Sequence, residues 1–129
     1  MRIRRAIGNR RPPAPWTPPQ SIWGVRRTAY ACFACRISVK QNWDAERRVC
    51  GRCAGELHSM GWSFHAPPAS DREQWRKVQT LFAEGFRFFG SGREGGEPLP
   101  ARLRDVDAFL ARNPEHHLRI AERRPELLP

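Results

Sequence analysis

The chain has no glycine-rich phosphate loop ending in lysine, no Gly-x-Ser-x-Gly elbow and no His-Glu-x-x-His pair. It also lacks the His-x-Glu element that, with a single Pro-Cys-x-x-Cys, builds an open zinc site for deamination. With no obvious acid/base pair either, the expectation is a protein that is not an enzyme. No run approaches the roughly 18 apolar residues of a membrane span, so no membrane association is expected. After the basic start Met1-Arg2-Ile3-Arg4-Arg5, Gly8-Asn9-Arg10-Arg11 and prolines stand where a secretory leader needs an apolar core, which makes the cytoplasm the expected location. Lysine is nearly absent: Lys40 and Lys77 are the only two among 23 basic residues, and an arginine excess of this kind also follows from a GC-rich genome. Acids are missing altogether from residues 1–28, whose seven arginines supply most of the net charge of +10.

What the chain does hold is concentrated between Cys32 and Cys53. All four cysteines lie there, as Cys32-Phe33-Ala34-Cys35 and Cys50-Gly51-Arg52-Cys53, with residues 36–49 between the pairs. Each pair can fold as a tight knuckle, and the segment between them can return the chain, so four thiolates can reach the corners of one tetrahedron. Four sulfur ligands close the shell of one structural Zn2+ and leave no position for water or substrate. Disulfides within Cys-x-x-Cys close loops too short to stabilise much, and a redox pair needs a βαβ setting that is not visible. Gly51 suits a tight turn by its freedom to take positive φ. A Zn(Cys)4 centre carries a formal charge of about −2, which Arg36 and Arg52 beside the ligands, with Lys40 and Arg48 nearby, can offset.

The doubled spacing resembles a zinc ribbon, in which two rubredoxin-like knuckles hold the metal at the end of a β-hairpin. The match covers about residues 29–65 and implies a fold more than an activity. Met60-Gly61-Trp62-Ser63-Phe64-His65-Ala66-Pro67, leading into Gln74-Trp75-Arg76-Lys77, is also similar to small bacterial zinc-ribbon proteins with a Met-Gly-x-x-Phe-x-x-Pro segment, a likeness that brings no function with it.

In chain order, residues 1–28 read as a basic arm. Five prolines between Arg11 and Pro19 favour an extended polyproline conformation. Arg2, Arg4, Arg5, Arg10, Arg11, Arg26 and Arg27 are candidates for nucleic-acid phosphates; a solvated tail, or a ligand for a proline-binding domain, are the other uses. Residues 29–90 read as the ribbon with a packed helix. Ile37, Val39, Gln41 and Trp43 alternate with polar residues as a strand, Asp44–Glu46 turn, Arg47–Val49 return, and Leu57–Phe64 supply a third strand broken at Gly61. So small a sheet needs its metal, which contributes on the order of 10 to 16 kcal/mol in zinc-finger peptides. Phe33 and Trp43 can serve either as a base-stacking surface, with Arg36 and Arg52 beside them, or as core; Trp62 and Phe64 read as core, and His58 and His65 as surface or packing residues.

Ser70 and Glu73 form a capping box for an amphipathic helix with Trp75, Val78, Leu81, Phe82, Phe86 and Phe89 on one stripe. The stripe packs on the ribbon, with Gly85 allowing close approach; alternatively, Trp75, Phe82, Phe86 and Phe89 meet a partner protein. Residues 91–98 read as a glycine-rich linker, and residues 99–129 as a C-terminal helical hairpin, its second helix capped by Asn113 and started by Pro114. Seven arginines and seven acids make residues 93–129 neutral, which favours protein over nucleic-acid contact there. The adjacent His116 and His117 do not face one way on a helix and are not expected to bind metal.

The expected whole is a small α+β protein: a three-stranded zinc-ribbon sheet, an amphipathic helix, a helical hairpin and an extended arm. Its expected role is binding nucleic acid, RNA ahead of DNA, or a nucleoprotein assembly such as ribosomal RNA or the transcription machinery. The alternative is an adaptor or accessory subunit acting through its helices.

Overall fold

The structure, a computed structural model, describes residues 27–43, 48–89 and 96–129. The chain divides into two units, residues 1–27 with 42–45, and residues 28–41 with 46–129. The second contains nearly all the described residues. The arm arginines up to Arg26, the Asp44–Glu46 turn and most of the glycine-rich linker lie outside the described residues.

Four strands form an antiparallel sheet: β1 (Arg27–Cys32), β2 (Ile37–Asn42), β3 (Arg48–Val49) and β4 (Glu56–Gly61). Their order is β2-β1-β4-β3. This corrects the expected three-stranded sheet: β1 precedes the first knuckle, and the strand leaving that knuckle is not a neighbour of the one returning to the second. Each knuckle instead turns its own hairpin, β1 to β2 and β3 to β4. The hairpins join through β1 and β4, with Tyr30 opposite Ser59 and Ala31 opposite His58. The small residues Ala29 and Ala31 leave room for Met60, Phe64, Trp75, Val78 and Phe82 to meet over one face of the sheet.

Helix α1 (Arg72–Ala83) lies on that face. Asp71, not Ser70, is its N-cap, with its side chain accepting from the Gln74 N–H at 3.2 Å. Glu73 is not reaching back in a capping box; Arg102 grips it at 2.7 and 2.9 Å, and the Leu103 N–H donates to it. The helix stops at Ala83, short of the expected Phe89. Gly85 has φ +101°, and the chain beyond it pairs at Phe86 with Arg119. A Cβ on Gly85 would strike the Ala121 carbonyl, so its close approach is to the C-terminal segment and not to the sheet.

The C-terminal segment covers the other side of α1. A 3-10 turn (Leu103–Asp105) leads into α2 (Val106–Arg112), and Val106 and Phe109 join Leu81 and Phe86 in a second core cluster. No second long helix follows, so the expected hairpin is absent; a further 3-10 turn spans Pro125–Leu127. The reason is where the backbone N–H groups go. Ile120 and Ala121 donate to Gly85, and Arg124 donates to Ala83 at 2.7 Å, in place of partners four residues back. Asn113 caps the C-terminus of α2, donating from its amide to the Phe109 carbonyl at 2.9 Å, and begins no helix.

Gly61, Phe64 and Pro67, the marks of the Met-Gly-x-x-Phe-x-x-Pro segment, have packing roles. A Cβ on Gly61 (φ +113°) would lie 2.6 Å from the Phe88 carbonyl carbon and 2.8 Å from its nitrogen. The Phe88 N–H donates to Met60, and Ser63 donates twice to the Phe88 carbonyl. Phe64 packs on Trp75 and Phe88, and the Trp75 indole N–H donates to the Pro67 and Pro68 carbonyls at 3.1 Å.

Candidate metal centre

The two knuckles have the same backbone. In each, the N–H of the residue after the second cysteine donates to the carbonyl of the first cysteine at 2.8 Å: Arg36 to Cys32, and Ala54 to Cys50. Those two residues take left-handed conformations, φ 56° for Arg36 and 62° for Ala54, at a cost of about 1–2 kcal/mol each for a side chain with a Cβ. Gly51, expected to supply the positive φ, does not. The turn falls at the position just past the second ligand, which spacing alone does not reveal.

These turns bring the four sulfurs together, all within 4.8 Å of one another. Cys32 Sγ lies 3.6 Å from Cys53 Sγ, and Cys50 Sγ 4.0 Å from Cys35 Sγ, each a contact between knuckles. A tetrahedral ion with metal–sulfur bonds of about 2.3 Å needs sulfurs about 3.8 Å apart, midway between those distances. The cysteines are all free. Backbone N–H groups point at the sulfurs, Cys35 to Cys32, Arg52 to Cys50 and Gly55 to Cys53, each at 3.4 Å. Among the described residues this is the one cluster of metal-ligating side chains, and it is positioned to hold a metal ion.

Without a cation, four thiolates cannot share this space. Burial pushes the Cys32 thiol up. Cys35 is pushed up to about 12, first by its hydrogen bond with Cys53 and then by desolvation. Cys50 is drawn down to about 7 by the N–H groups of Arg52 and Cys53. The donor set therefore fits a divalent, thiophilic ion that displaces protons from sulfur.

The other expected site residues are distributed as follows. Arg52 is exposed beside Cys53, while Arg36 donates from Nε to the Ala69 carbonyl at 2.7 Å. Phe33 is half-buried and stacks on His58 with ring centroids 4.9 Å apart, while its edge contacts reach Trp75 and Phe82. These contacts tie it to the chain's own core. Trp43 is 58% exposed. Trp75, Phe82 and Phe86 are buried in the chain's own core, which corrects their reading as a partner-facing stripe; Phe89 is partly exposed and lies beyond the helix.

His58 is buried, and desolvation lowers its pKa, keeping it neutral. His116 has no helix around it, contrary to expectation, yet both ring nitrogens are engaged: Nε2 with the Glu97 carbonyl at 2.7 Å, and Nδ1 accepting from the Leu118 N–H. Sequence reasoning missed Arg119. Its guanidinium donates to the Glu84 carbonyl and carboxylate and to the Asn113 carbonyl, joining the C-terminal ends of α1 and α2. No local pattern marks such a residue.

No helix among the described residues is long and apolar enough to cross a membrane. Compared with models of known families, with curated proteins and with solved structures, the chain matches none.

Proposed function

We propose that this chain is a non-enzymatic protein, stapled by one structural Zn2+ on Cys32, Cys35, Cys50 and Cys53, that binds nucleic acid or a nucleoprotein assembly. The observation that carries the reading is the closed four-sulfur set: a tetrahedral ion held by all four thiolates keeps no coordination site for water or substrate, so its role is to fold the chain. Zinc is favoured over other ions by an all-thiolate tetrahedral donor set.

The binding half of the proposal rests on charge. The seven arginines of residues 1–28 have no acid among them, and guanidinium groups in such a segment gain affinity for phosphates by releasing counterions. Single-stranded RNA is the preferred target, with DNA second. Of the residues the adaptor alternative offers to a partner, Trp75, Phe82 and Phe86 are core and Phe89 is exposed.

Two measurements test the two halves separately. Metal analysis of the purified chain should give one zinc per molecule, and zinc-free Cys50→Ser protein that stays folded would refute the staple. Binding to oligonucleotides across a salt series should give a log–log slope of about −5 on single strands or about −6 on duplex DNA if all seven arm arginines touch phosphates. Replacing those arginines by glutamine should flatten it, and salt-independent binding would refute the phosphate reading.

A further inference from the structure

Apart from Arg48 and Arg87, the described arginines of the folded unit divide by whether a carboxylate holds them. Arg102, Arg112, Arg119, Arg123 and Arg124 each lie against a carboxylate, of Glu73, Glu97, Glu84, Glu84 and Glu126 respectively, at 2.5–3.0 Å. These pairs hold the C-terminal segment to itself and to α1. Among the described residues, Arg36, Arg52, Arg72 and Arg76 form no ion pair with a carboxylate. Arg87 is excluded from this group because its Nη1 is spent on the Phe82 and Phe86 carbonyls at the end of α1.

Arg36 and Arg52 flank the four-sulfur centre, and Arg72 and Arg76 lie in the first turns of α1. Arg36 and Arg52 adjoin the ligands Cys35 and Cys53. The bond from Arg36 Nε to the Ala69 carbonyl holds the first knuckle against the start of α1. Arg72 opens that helix and Arg76 follows one turn on, so the two exposed side chains share a face with Cβ atoms about 5–6 Å apart. The two nearest acids in sequence are engaged elsewhere, Asp71 in capping and Glu73 with Arg102 and the Leu103 N–H. Next to a doubly negative Zn(Cys)4 centre, Arg36 and Arg52 are partly neutralised. Arg72 and Arg76, farther along the helix, are left to act outward.

We propose that Arg72 and Arg76 form a second phosphate-contacting surface on the folded unit, one that takes the sugar-phosphate backbone of a nucleic acid independently of the arm. The proposal rests on the nucleic-acid reading above and adds a location to it. Guanidinium forks match phosphate oxygens in bidentate geometry, and two of them one helical turn apart, with the intervening Glu73 held by Arg102, make a surface for successive anionic groups. RNA and DNA share this chemistry.

The test uses the zinc-loaded full chain and fluorescent oligonucleotides of about 20 nucleotides, one oligouridylate and one oligothymidylate, titrated over a salt series. The Arg72→Gln/Arg76→Gln variant should lower the slope by about 1.4 and weaken binding about 25-fold at about 0.1 M salt, as loss of two phosphate contacts on a single strand requires. Arg112→Gln, on the C-terminal segment with its guanidinium held by Glu97, should bind like the parent. Zinc content and circular dichroism should be parental in both; should the double variant lose zinc, the single variants, each with about half the slope change, carry the test.

Tighter binding of the oligouridylate assigns a role to the ribose, and equal binding assigns the contact to phosphate alone; both support the surface. Parental slope and affinity in the double variant, with binding lost on glutamine replacement of the arm arginines, would overturn the helix surface and leave the nucleic-acid reading standing. Failure of the parent to bind either strand would overturn both. Retention of a polyglutamate peptide but of neither oligonucleotide would reassign the arginines to an acidic protein partner and overturn the proposal.

Discussion

Metal uptake at this centre expels protons, and the structure sets their number. Cys32 and Cys35 are both pushed up, Cys32 chiefly by burial and Cys35, to about 12, chiefly by its hydrogen bond with Cys53, so each holds its proton at neutral pH. Cys50, at about 7, holds about half of one. Taking all four sulfurs as thiolates therefore releases at least about 2.5 protons at about pH 7, and apparent zinc affinity should rise by at least about 300-fold per pH unit there. The sign follows from competition: below each thiol's pKa the proton occupies the sulfur, so acid favours metal loss and base favours uptake. The dependence should steepen by about half a proton below about pH 6, where Cys50 is fully protonated, and relax by as much above about pH 8. Competition against a chromophoric chelator between about pH 6.5 and 7.5 measures the slope, and an indicator dye counts the protons directly. Release of one proton or fewer per zinc would refute the four-thiolate centre.

Gly61→Ala should destabilise the metal-loaded protein by about 2–4 kcal/mol in urea unfolding, because its Cβ meets the Phe88 backbone at a positive φ, whereas Gly51→Ala, with open space around it, should stay within about 0.5 kcal/mol. Phe109→Ala, at 1% exposure, should cost about 3–5 kcal/mol by the same measurement; a loss under about 1 kcal/mol would place the C-terminal cluster outside the core. Glu84→Gln leaves the mostly buried Arg119 without its carboxylate and should cost about 2–3 kcal/mol, with unchanged zinc stoichiometry. Glu73 and Glu97 are lowered to about 2 by Arg102 and Arg112. A depressed carboxylate stabilises the fold above its unfolded pKa, so this contribution should drain away from about pH 4.5 down to about 2; acid unfolding of Arg102→Gln should lose the Glu73 share of that dependence.

Legibility in the sequence followed the range of each interaction. The four ligands could be read because each pair is local and the return is short, and β2 could be read because Ile37, Val39 and Gln41 alternate. Strand order could not, since the pairing of Ala31 with His58 depends on two hairpins meeting across twenty-seven residues of chain. The periodic stripe of α1 ran on through Phe86 and Phe89 in sequence because apolar spacing does not know what else competes for the backbone. The carbonyls of Ala83 and Gly85 are taken by Arg124, Ile120 and Ala121, and the helix yields to them. The same competition removed the expected helix after Pro114. Arg119, the residue that fastens both helix ends, is one arginine among 23 basic residues, and only its neighbours in space mark it.

Phe33 sits between two ligands and also touches Trp75 and Phe82 beneath α1. The first knuckle therefore cannot open without withdrawing an aromatic ring from the core, and metal release is not a local event. Amide hydrogens in the middle of α1 should exchange with the same opening free energy as those of β1 in the loaded protein, and both should lose protection together under a chelator. Loss of a metal from this centre would therefore raise the unfolded population of the whole unit, and with it the rate of proteolysis.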